Sequence, residues 1–389
     1  MYSIKIFNNI AAQGLEQFPS ASYQVGAEQD NADAILLRSH KLQNEEIDAN
    51  VKAIGRAGAG TNNVPVAHCT ERGIPVFNAP GANANAVKEL VMAGLLLASR
   101  GIVPGIDYAN GLASMDDADA MNKLLEKEKK KFKGCEIQGK TLGVVGLGAI
   151  GSLVANMALS MGMRVIGYDP AISIEAAWRL SSSVKKMDSI ESLFAASDYI
   201  TLHLPVLDAT RNLVNADLLA GVKPGCKLLN FARAEIVDAD ATIAALDSGK
   251  LDRYVADFPK PGMLGRDDVI LMPHIGASTE EAEVNCAVMA AEQIKDYLEN
   301  GNIVNSVNFP NASLERSPGY RLAVANKNVT NMLGSITSIL ASHNINVIDL
   351  LNKSRGDVAY NLIDVESEPS DEVLGEISAV DGVVTVRLL

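Results

Sequence analysis

The sequence predicts an α/β fold with a doubly wound parallel sheet, a smaller parallel sheet before it and a βαββαβ module at the C-terminal end. Short apolar runs alternate with segments of helical periodicity, which is typical of parallel sheets covered by helices. A glycine-rich turn at 146–151 joins an apolar strand to an amphipathic helix. Residues 319–389 have the strand and helix order of a ferredoxin-like module.

The first part of the chain predicts the strands of the smaller sheet. Its buried runs are separated by turn-rich segments, and they lie at 4–7, 34–37, 53–55 and 75–77. A long helix is predicted over 84–99. The stretch 122–133 after it is dense in Lys and Glu and is typical of a solvated helix face.

The central part predicts the doubly wound sheet. The strand 141–145 is followed by Ile150, Val154, Met157 and Met161 at helical spacing. Further strands are predicted at 164–168, 199–202, 227–229, 254–256 and 269–271. The helix 279–298 leads out of this region, and Gly301 supplies its C-cap.

The C-terminal part has a pattern of its own. Residues 311–319 are polar, with Pro and Gly, as in a linker. Strands are predicted at 321–325, 347–351, 358–365 and 383–388, with one helix after the first strand and one after the third.

The charge balance excludes polyanionic partners. The 389 residues include 34 Lys and Arg against 47 Asp and Glu, a net charge of −13, whereas nucleic acids and anionic membranes attract positive surfaces. The four cysteines form no CxxC pair, so we predict no metal site and no disulfide framework, and we expect a reducing, cytoplasmic location. No signal peptide is apparent, and the longest apolar stretch, 90–98, is too short to span a bilayer.

Gly146, Gly148 and Gly151 form a GxGxxG turn in the context that dinucleotide binding requires. Gly146 permits the tight turn, Gly148 lets the backbone approach a pyrophosphate, and Gly151 allows close helix–strand packing. Asp169 ends the next strand, where its carboxylate can accept hydrogen bonds from the ribose hydroxyls and would repel a 2′-phosphate. The predicted cofactor is therefore NAD.

Several stretches resemble the D-isomer-specific 2-hydroxyacid dehydrogenase family, and the C-terminal module resembles an ACT domain. The matching stretches are GRAGAGTNNV (55–64), NAPGANANAVKEL (78–90), VGLGAIG (145–151), YDP (168–170), HLP (203–205), NFARAEIVD (230–238) and PHIGAST (273–279). The resemblance implies a flavodoxin-like substrate-binding domain over 1–94 and 276–310. It also implies a Rossmann-type dinucleotide-binding domain over 95–275 and a regulatory domain over 319–389.

His274 and Arg233 are the candidate catalytic residues. Hydride transfer from C2 of a hydroxy acid to NAD requires a group that takes the hydroxyl proton, which suits His274. It also requires a cation that holds the carboxylate, which suits the guanidinium of Arg233. Both follow strand ends, where doubly wound sheets build their sites.

One departure from the family concerns the partner of His274. The family usually supplies a Glu shortly after the strand that carries Asp257, and here the segment 257–262 reads DFPKPG. Asp267, Asp268 and Glu280 are alternative partners among which the sequence does not decide. A smaller departure is Ala234, where a Gly commonly follows the arginine.

The resemblance also implies binding positions. For NAD they are Gly146, Gly148, Ala149, Ile150, Gly151, Asp169, Leu204, Phe231, Ala232, Asp257, His274 and Gly276, with Asp257 at the nicotinamide amide. For an anionic substrate they are Arg38, Ser39, Arg56, Asn83 and Arg233. Lys41 lies close in sequence to Arg38 and Ser39, and Lys129 is a candidate cation for a substrate phosphate.

The ACT resemblance implies regulation by L-serine. Asn328 and Asn346 match amide positions that hold serine in related proteins, while Asn326 stands where some relatives have His. A module that only dimerises is the alternative. The family also implies a homodimer or homotetramer.

The implied activity is NAD-dependent oxidation of 3-phospho-D-glycerate to 3-phosphooxypyruvate, the first step of phosphorylated L-serine synthesis. One alternative is an NADH-dependent reductase of 2-oxoglutarate, hydroxypyruvate or glyoxylate. An alternative of another class is a non-enzymatic, corepressor-like sensor of NAD. The presence of both His274 and Arg233 argues against this alternative.

Overall fold

A computed structural model describes residues 1–174 and 176–389. The chain forms two compact units, one made of Met1–Asn83 with Thr279–Leu389 and the other of Ala84–Ser278. The first stretch of the chain contains β1 (Tyr2–Phe7), α1 (Ala12–Leu15), β2 (Tyr23–Gly26), β3 (Ala34–Leu37), β4 (Ala53–Arg56), α2 (Val66–Glu71) and β5 (Val76–Phe77).

The second unit contains the dinucleotide fold. Its elements are α3 (Ala84–Ser99), α4 (Ile102–Asn110), α5 (Ala118–Glu128), β6 (Thr141–Val145), α6 (Ala149–Ser160), β7 (Arg164–Tyr168), α7 (Ile174–Arg179), β8 (Lys185–Lys186), α8 (Ile190–Ala196), β9 (Tyr199–Leu202), α9 (Ala216–Ala220), β10 (Cys226–Asn230), α10 (Ala239–Asp247), β11 (Leu251–Ala256) and β12 (Val269–Leu271).

The chain then returns to the first unit. Its elements are α11 (Glu280–Asn300), β13 (Tyr320–Lys327), α12 (Met332–Ser342), β14 (Val347–Arg355), β15 (Val358–Val365), α13 (Asp371–Ala379) and β16 (Val383–Leu388). Short 3₁₀ turns occur at Asn44–Glu46, Lys129–Phe132 and Ala234–Ile236.

The second unit is a seven-stranded parallel sheet in the order β12-β11-β10-β9-β6-β7-β8. The strand order reverses at β6, whose neighbours are β7 and β9. Such a reversal opens a crevice at the carboxyl ends of the strands, where doubly wound sheets bind their ligands. The predicted doubly wound fold is confirmed.

The first unit has a five-stranded parallel sheet in the order β2-β1-β3-β4-β5. Helix α11 lies close against it, because Gly55 in β4 leaves room for Ile294, whose Cδ1 would be 2.6 Å from a Cβ at position 55. The left-handed Gly301 caps α11, with φ 74°, as predicted from Asn300–Gly301.

The C-terminal sheet is antiparallel, in the order β14-β15-β13-β16. One face packs under α12 and α13 through Leu322, Val324 and Ile363. The other face carries Tyr360 and Leu362 into the core shared with β1 and α11. The predicted βαββαβ order is therefore present, and this sheet is packed on both faces.

Helix α3 lies with the second unit, because Gly94 abuts the ring of Phe231 and Val91 and Leu95 join the core beneath β6. The predicted domain boundary at residues 94 and 95 falls inside this helix. The other predicted domain limits, including a separate regulatory domain over 319–389, stay predictions.

Within the two described ranges, no single helix is long and apolar enough to cross a membrane. Only α3 and α4 taken together reach that length and composition, and they meet at a bend of 74°.

Candidate active site

The glycine-rich turn connects β6 to α6 in a geometry that requires glycine at two positions. Gly146 has φ 86°, and a Cβ there would lie 2.4 Å from the carbonyl oxygen of His203. A Cβ at Gly151 would lie 1.9 Å from the carbonyl oxygen of Gly146. Gly148, the N-cap of α6, borders open space. The turn therefore presents exposed backbone N–H groups at the start of a helix, which fits a pyrophosphate.

Asp169 lies beside this turn, as the sequence predicted. One of its carboxylate oxygens accepts a hydrogen bond from the backbone N–H of Leu147 at 2.8 Å, and the other accepts from Ala171 at 2.9 Å. The carboxylate is half-buried and retains acceptor capacity on both oxygens. Its position suits the hydroxyls of an adenosine ribose.

Arg233, Asp257 and His274 follow the carboxyl ends of three neighbouring strands, β10, β11 and β12. Arg233 and His274 are exposed, whereas Asp257 is only 2% exposed. The Asp257 carboxylate accepts hydrogen bonds from the backbone N–H groups of Ile275 at 2.8 Å and Gly276 at 2.7 Å. Asp257 thus braces the loop that carries His274, and its predicted contact with the nicotinamide amide stays a prediction.

His274 itself has a strained backbone, with φ 56°. Its backbone N–H donates to the carbonyl oxygen of Asp257 at 3.0 Å. Its ring centroid lies 4.8 Å from that of Phe258. Over residues 1–174 and 176–389, no hydrogen bond or ion pair joins the His274 ring to a carboxylate.

None of the alternative partners, Asp267, Asp268 and Glu280, forms a described hydrogen bond with the His274 ring. The Asp268 carboxylate is held at both oxygens by Arg266, at 2.9 Å and 2.8 Å. The backbone carbonyl of Asp267 accepts a hydrogen bond from Arg253. Glu280 lies in the first turn of α11, in the other unit.

Arg233 is positioned by Asn230, which sequence reasoning had given no role. The amide of Asn230 is fully buried; its nitrogen donates to the carbonyl oxygen of Arg233 at 2.9 Å, and its oxygen accepts from the Ala232 N–H at 3.1 Å. An amide at the end of a buried strand is the signal that could have identified it, because a buried amide must find partners.

His203, in the HLP stretch, is a second histidine near the glycine-rich turn. Its Nε2 lies 2.9 Å from the Thr201 hydroxyl, and its buried Nδ1 has no hydrogen-bond partner in the described part of the chain. Burial lowers the pKa of His203 to about 3. A buried imidazole with so low a pKa is a weak base, and His274 therefore remains the candidate proton acceptor.

Other predicted NAD positions vary in their surroundings. The ring of Phe231 is buried against Gly94, and Ala232 is also buried. Leu204 packs beside Gly146. Ala149 and Ile150 are half-buried in the first turn of α6, and Gly276 is buried. Their roles stay predictions.

In the first unit, Arg38, Ser39 and Arg56 lie together at the carboxyl ends of β3 and β4. The Arg56 Nε donates to the Arg38 carbonyl oxygen at 3.0 Å, and the Ser39 N–H donates to the Asn8 side chain at 3.0 Å. The Arg38 guanidinium pairs with Glu283 at 2.6 Å. An anion that bound Arg38 would therefore compete with Glu283.

The remaining candidate residues are Asn83, Lys41 and Lys129. Among the described contacts, no hydrogen bond links half-buried Asn83 to Arg38 or Arg56. Lys41 is exposed, and Lys129 pairs with Glu126 on its own segment.

The candidate effector amides lie at opposite ends of β14. The Asn328 side chain donates to the Gly356 carbonyl oxygen at 3.0 Å, whereas Asn346 immediately precedes the strand. Nine residues of strand separate them, a length of roughly 30 Å. Asn326 is 2% exposed and bonds to Asn361 at 2.7 Å. One copy of the chain therefore does not bring Asn328 and Asn346 to one ligand.

The described residues contain no group of three or more His, Cys, Asp and Glu side chains arranged to hold a metal ion. The residues around Gly148 and Asp169, by contrast, fit a dinucleotide. The parallel sheet, the glycine-rich turn and the acid after β7 define a dinucleotide-binding α/β protein.

Comparisons with known proteins agree with this class. A family model described as D-isomer specific 2-hydroxyacid dehydrogenase, NAD binding domain, matches residues 107–276. The D-3-phosphoglycerate dehydrogenase of Haemophilus influenzae is 35% identical over 366 residues, which is 90% of this chain and 85% of the relative. The chain belongs to the D-isomer-specific 2-hydroxyacid dehydrogenase family. The predicted family, fold class and NAD cofactor are confirmed.

Other relatives are longer than this chain. The D-3-phosphoglycerate dehydrogenase of Synechocystis is 40% identical over 287 residues, 72% of this chain but 49% of the relative. That of Methanocaldococcus jannaschii is 38% identical over 333 residues, 82% of this chain and 60% of the relative. The chain thus spans about half to three fifths of the length of these two relatives.

Solved structures share the fold. An NAD⁺-bound 3-phosphoglycerate dehydrogenase of Entamoeba histolytica has a TM-score of 0.61 and 28% identity, covering 79% of this chain and 98% of that chain. A glyoxylate reductase from Paecilomyes thermophila has a TM-score of 0.65 and 24% identity, covering 79% of this chain and 98% of that chain.

Proposed function

We propose that this protein oxidises 3-phospho-D-glycerate at C2 to 3-phosphooxypyruvate with NAD, the first step of phosphorylated L-serine biosynthesis. The observation that carries the proposal is the placement of His274 and Arg233 after the ends of β12 and β10, on either side of β11, with both side chains in contact with the Phe258 ring. The names of the relatives from Haemophilus influenzae and Synechocystis support this choice of substrate.

The chemistry assigns each side chain one task. The imidazole of His274 accepts the proton of the C2 hydroxyl, which leaves the electron pair of the O–H bond to form the carbonyl. The Arg233 guanidinium holds the substrate carboxylate through its fork of donors. NAD, when bound along the Gly146–Gly151 turn and Asp169, supplies the hydride acceptor. Arg38 and Arg56 are proposed to take the phosphate.

Kinetics of His274→Gln and Arg233→Gln test the proposal. Loss of a general base lowers kcat on the order of 10²–10⁴-fold. The kcat of His274→Gln with NAD and 3-phospho-D-glycerate should therefore fall by that factor. Arg233→Gln should raise the KM for the acid as well. His68→Gln, at a half-buried histidine of α2 outside the candidate site, is the matched control and should leave the rate unchanged. Wild-type activity in His274→Gln would contradict the assignment.

A reductase of 2-oxoglutarate, hydroxypyruvate or glyoxylate is the second candidate, and the Arg38–Glu283 ion pair favours it. That pair reduces the positive charge available to a phosphate. This second function would be favoured if kcat/KM for any of these oxo acids with NADH exceeded kcat/KM for 3-phospho-D-glycerate with NAD. Absence of turnover with every acid would favour an NAD-sensing role.

We also propose a cytoplasmic homodimer or homotetramer that binds L-serine. Several apolar side chains of α3 and α4 are exposed, including Leu96, Ile102 and Ile106, as expected for a surface that another copy covers. The separation of Asn328 from Asn346 supports an effector site shared by two copies. Calorimetry with L-serine is expected to show binding that Asn346→Ala removes. No binding at millimolar serine would refute the sensing role.

A further inference from the structure

The ring of Phe258 contacts both candidate catalytic side chains. Its centroid lies 4.8 Å from the His274 ring centroid, with the ring planes inclined by 48°. The guanidinium carbon of Arg233 lies over the same ring, 5.9 Å from its centroid. Both separations are in the range of attractive aromatic and cation–π contacts.

Core packing does not account for Phe258. The residue is half-buried, and it belongs to none of the hydrophobic clusters formed by residues 1–174 and 176–389. Buried aromatic side chains stabilise a fold mainly through the area they remove from water. A ring at the surface, facing an imidazole and a guanidinium, has a different use.

Hydrogen bonds of the residues on either side hold the chain segment that carries this ring. Before it, the Asp257 carbonyl accepts from the His274 N–H at 3.0 Å, and the Asp257 carboxylate accepts from Ile275 and Gly276. After it, the Lys260 Nζ donates to the Val237 carbonyl oxygen at 2.9 Å. The segment that carries Phe258 is thus tied to the loop that carries His274.

We propose that Phe258 is a positioning residue that holds the His274 imidazole and the Arg233 guanidinium in one fixed relation. The inference rests on the proposed function. Proton transfer and carboxylate binding must occur on one substrate, so the spacing between the two side chains determines whether both succeed. The ring replaces a hydrogen-bonded carboxylate as the neighbour of His274.

The ring also acts on the charge that His274 acquires. An aromatic face stabilises a cation, so Phe258 favours the imidazolium that forms when His274 accepts the substrate proton. The charged groups nearby are Arg233, across the same ring, and Asp257, whose carboxylate is turned toward the Ile275 and Gly276 N–H groups.

Steady-state kinetics of Phe258→Leu and Phe258→Tyr in the full chain, with NAD and 3-phospho-D-glycerate as substrates, test the inference. Misplacement of a reacting group by about 1 Å costs up to about 10²-fold, so Phe258→Leu should lower kcat about tenfold to a hundredfold. It should also raise the KM for the phosphorylated acid. Phe258→Tyr retains the ring and should restore both the kcat and the KM.

Phe132→Leu is the matched control, because Phe132 packs against Tyr108 at 5.5 Å and contacts neither catalytic side chain. It should keep the wild-type kcat and KM. An active wild type with an unchanged Phe258→Leu would overturn the inference and leave the proposed function standing. A Phe258→Tyr variant as impaired as Phe258→Leu would also overturn it. A wild type that turns over no acid would remove both proposals.

Discussion

Two buried carboxylates, Asp257 and Asp364, are stabilised in different ways. Asp364, 1% exposed, pairs with Arg321 through both oxygens, at 2.6 Å and 2.8 Å, and also accepts the Ser317 N–H at 2.9 Å. Asp257, 2% exposed, accepts two backbone N–H groups, and within the described residues it has no cationic partner. One charge is neutralised, and the other is held by backbone dipoles alone.

The two carboxylates serve different purposes: Asp364 holds elements of the fold together, whereas Asp257 lies in the candidate active site. The fully buried Arg321 uses its remaining donors on the carbonyl oxygens of Asn300, Leu314 and Glu315. Its five N–H groups are then all satisfied, and β13, β15, the end of α11 and the segment before β13 are joined at one point. Asp257 retains acceptor capacity beside the loop of His274, which is the condition of a group that can also bind a ligand.

The largest expected effect is that of Arg321→Ala. The substitution leaves the buried Asp364 carboxylate without its cationic partner and with only the Ser317 N–H as a donor, which costs about 3–5 kcal/mol in the free energy of unfolding. Arg316→Ala is the matched control, because exposed Arg316 also donates to two carbonyl oxygens and should cost about 1 kcal/mol. Urea titration measures both. Equal losses in the two variants would show that the buried pair has no special weight.

Asp257→Asn should have an intermediate effect. Asparagine keeps the shape but places an NH₂ group against one of the two backbone N–H donors, so the free energy of unfolding should fall by about 1–3 kcal/mol. Because the His274 loop is then held less firmly, kcat should fall as well. Asp268→Asn, at the carboxylate paired with Arg266, should change neither quantity by as much. Wild-type kcat in Asp257→Asn would contradict the bracing role.

The elements predicted well from sequence are those buried on both faces. Strand β6 (Thr141–Val145) is buried throughout, and its continuous apolar run predicted its bounds. Strand β2 (Tyr23–Gly26) is half-exposed, and α4 has no buried residue and contains Pro104, so neither had a clear periodic signal. Both were missed for that reason.

The site was predicted only in part. His274 and Arg233 came from the family resemblance, and the absence of the expected Glu was read from the segment 257–262. The bracing by Asn230 and the contacts of Phe258 depend on distances between strand ends that are far apart in sequence. Apolar periodicity carries no information about such distances, so these roles required the structure.

Acid should weaken the Asp364 site. Burial alone raises the pKa of Asp364, but hydrogen bonds from Arg321 and Ser317 outweigh burial and hold the pKa below its ordinary value. The folded-state pKa is therefore lower than the unfolded-state value of about 3.9. The resulting stability is present above that pH and is lost as the pH falls through the folded-state pKa.

The pH dependence can be assigned with a variant that removes the titrating group. Each unit of pKa difference is worth about 1.4 kcal/mol. Replacing both partners by apolar side chains, in Arg321→Met with Asp364→Leu, should lower the free energy of unfolding at pH 7, because three carbonyl oxygens and the Ser317 N–H lose their partners. The double variant should nevertheless lose less further stability than wild type between about pH 4 and pH 2. If urea titrations showed that wild type and the double variant lose equal free energy of unfolding on acidification, the acid sensitivity would belong to groups other than Asp364.

The smallest expected effect concerns the contact of the C-terminal sheet with the end of α11. The buried hydroxyl of Tyr360 donates to the Gly301 carbonyl oxygen at 2.7 Å. Tyr360→Phe removes this one hydrogen bond and leaves the ring in place, so the free energy of unfolding should fall by about 0.5–1.5 kcal/mol. Tyr320→Phe, at a residue 36% exposed, is the control and should change stability less. A neutral Tyr360→Phe would mean that the ring packing and the Arg321–Asp364 pair, rather than this hydrogen bond, hold the sheet in place.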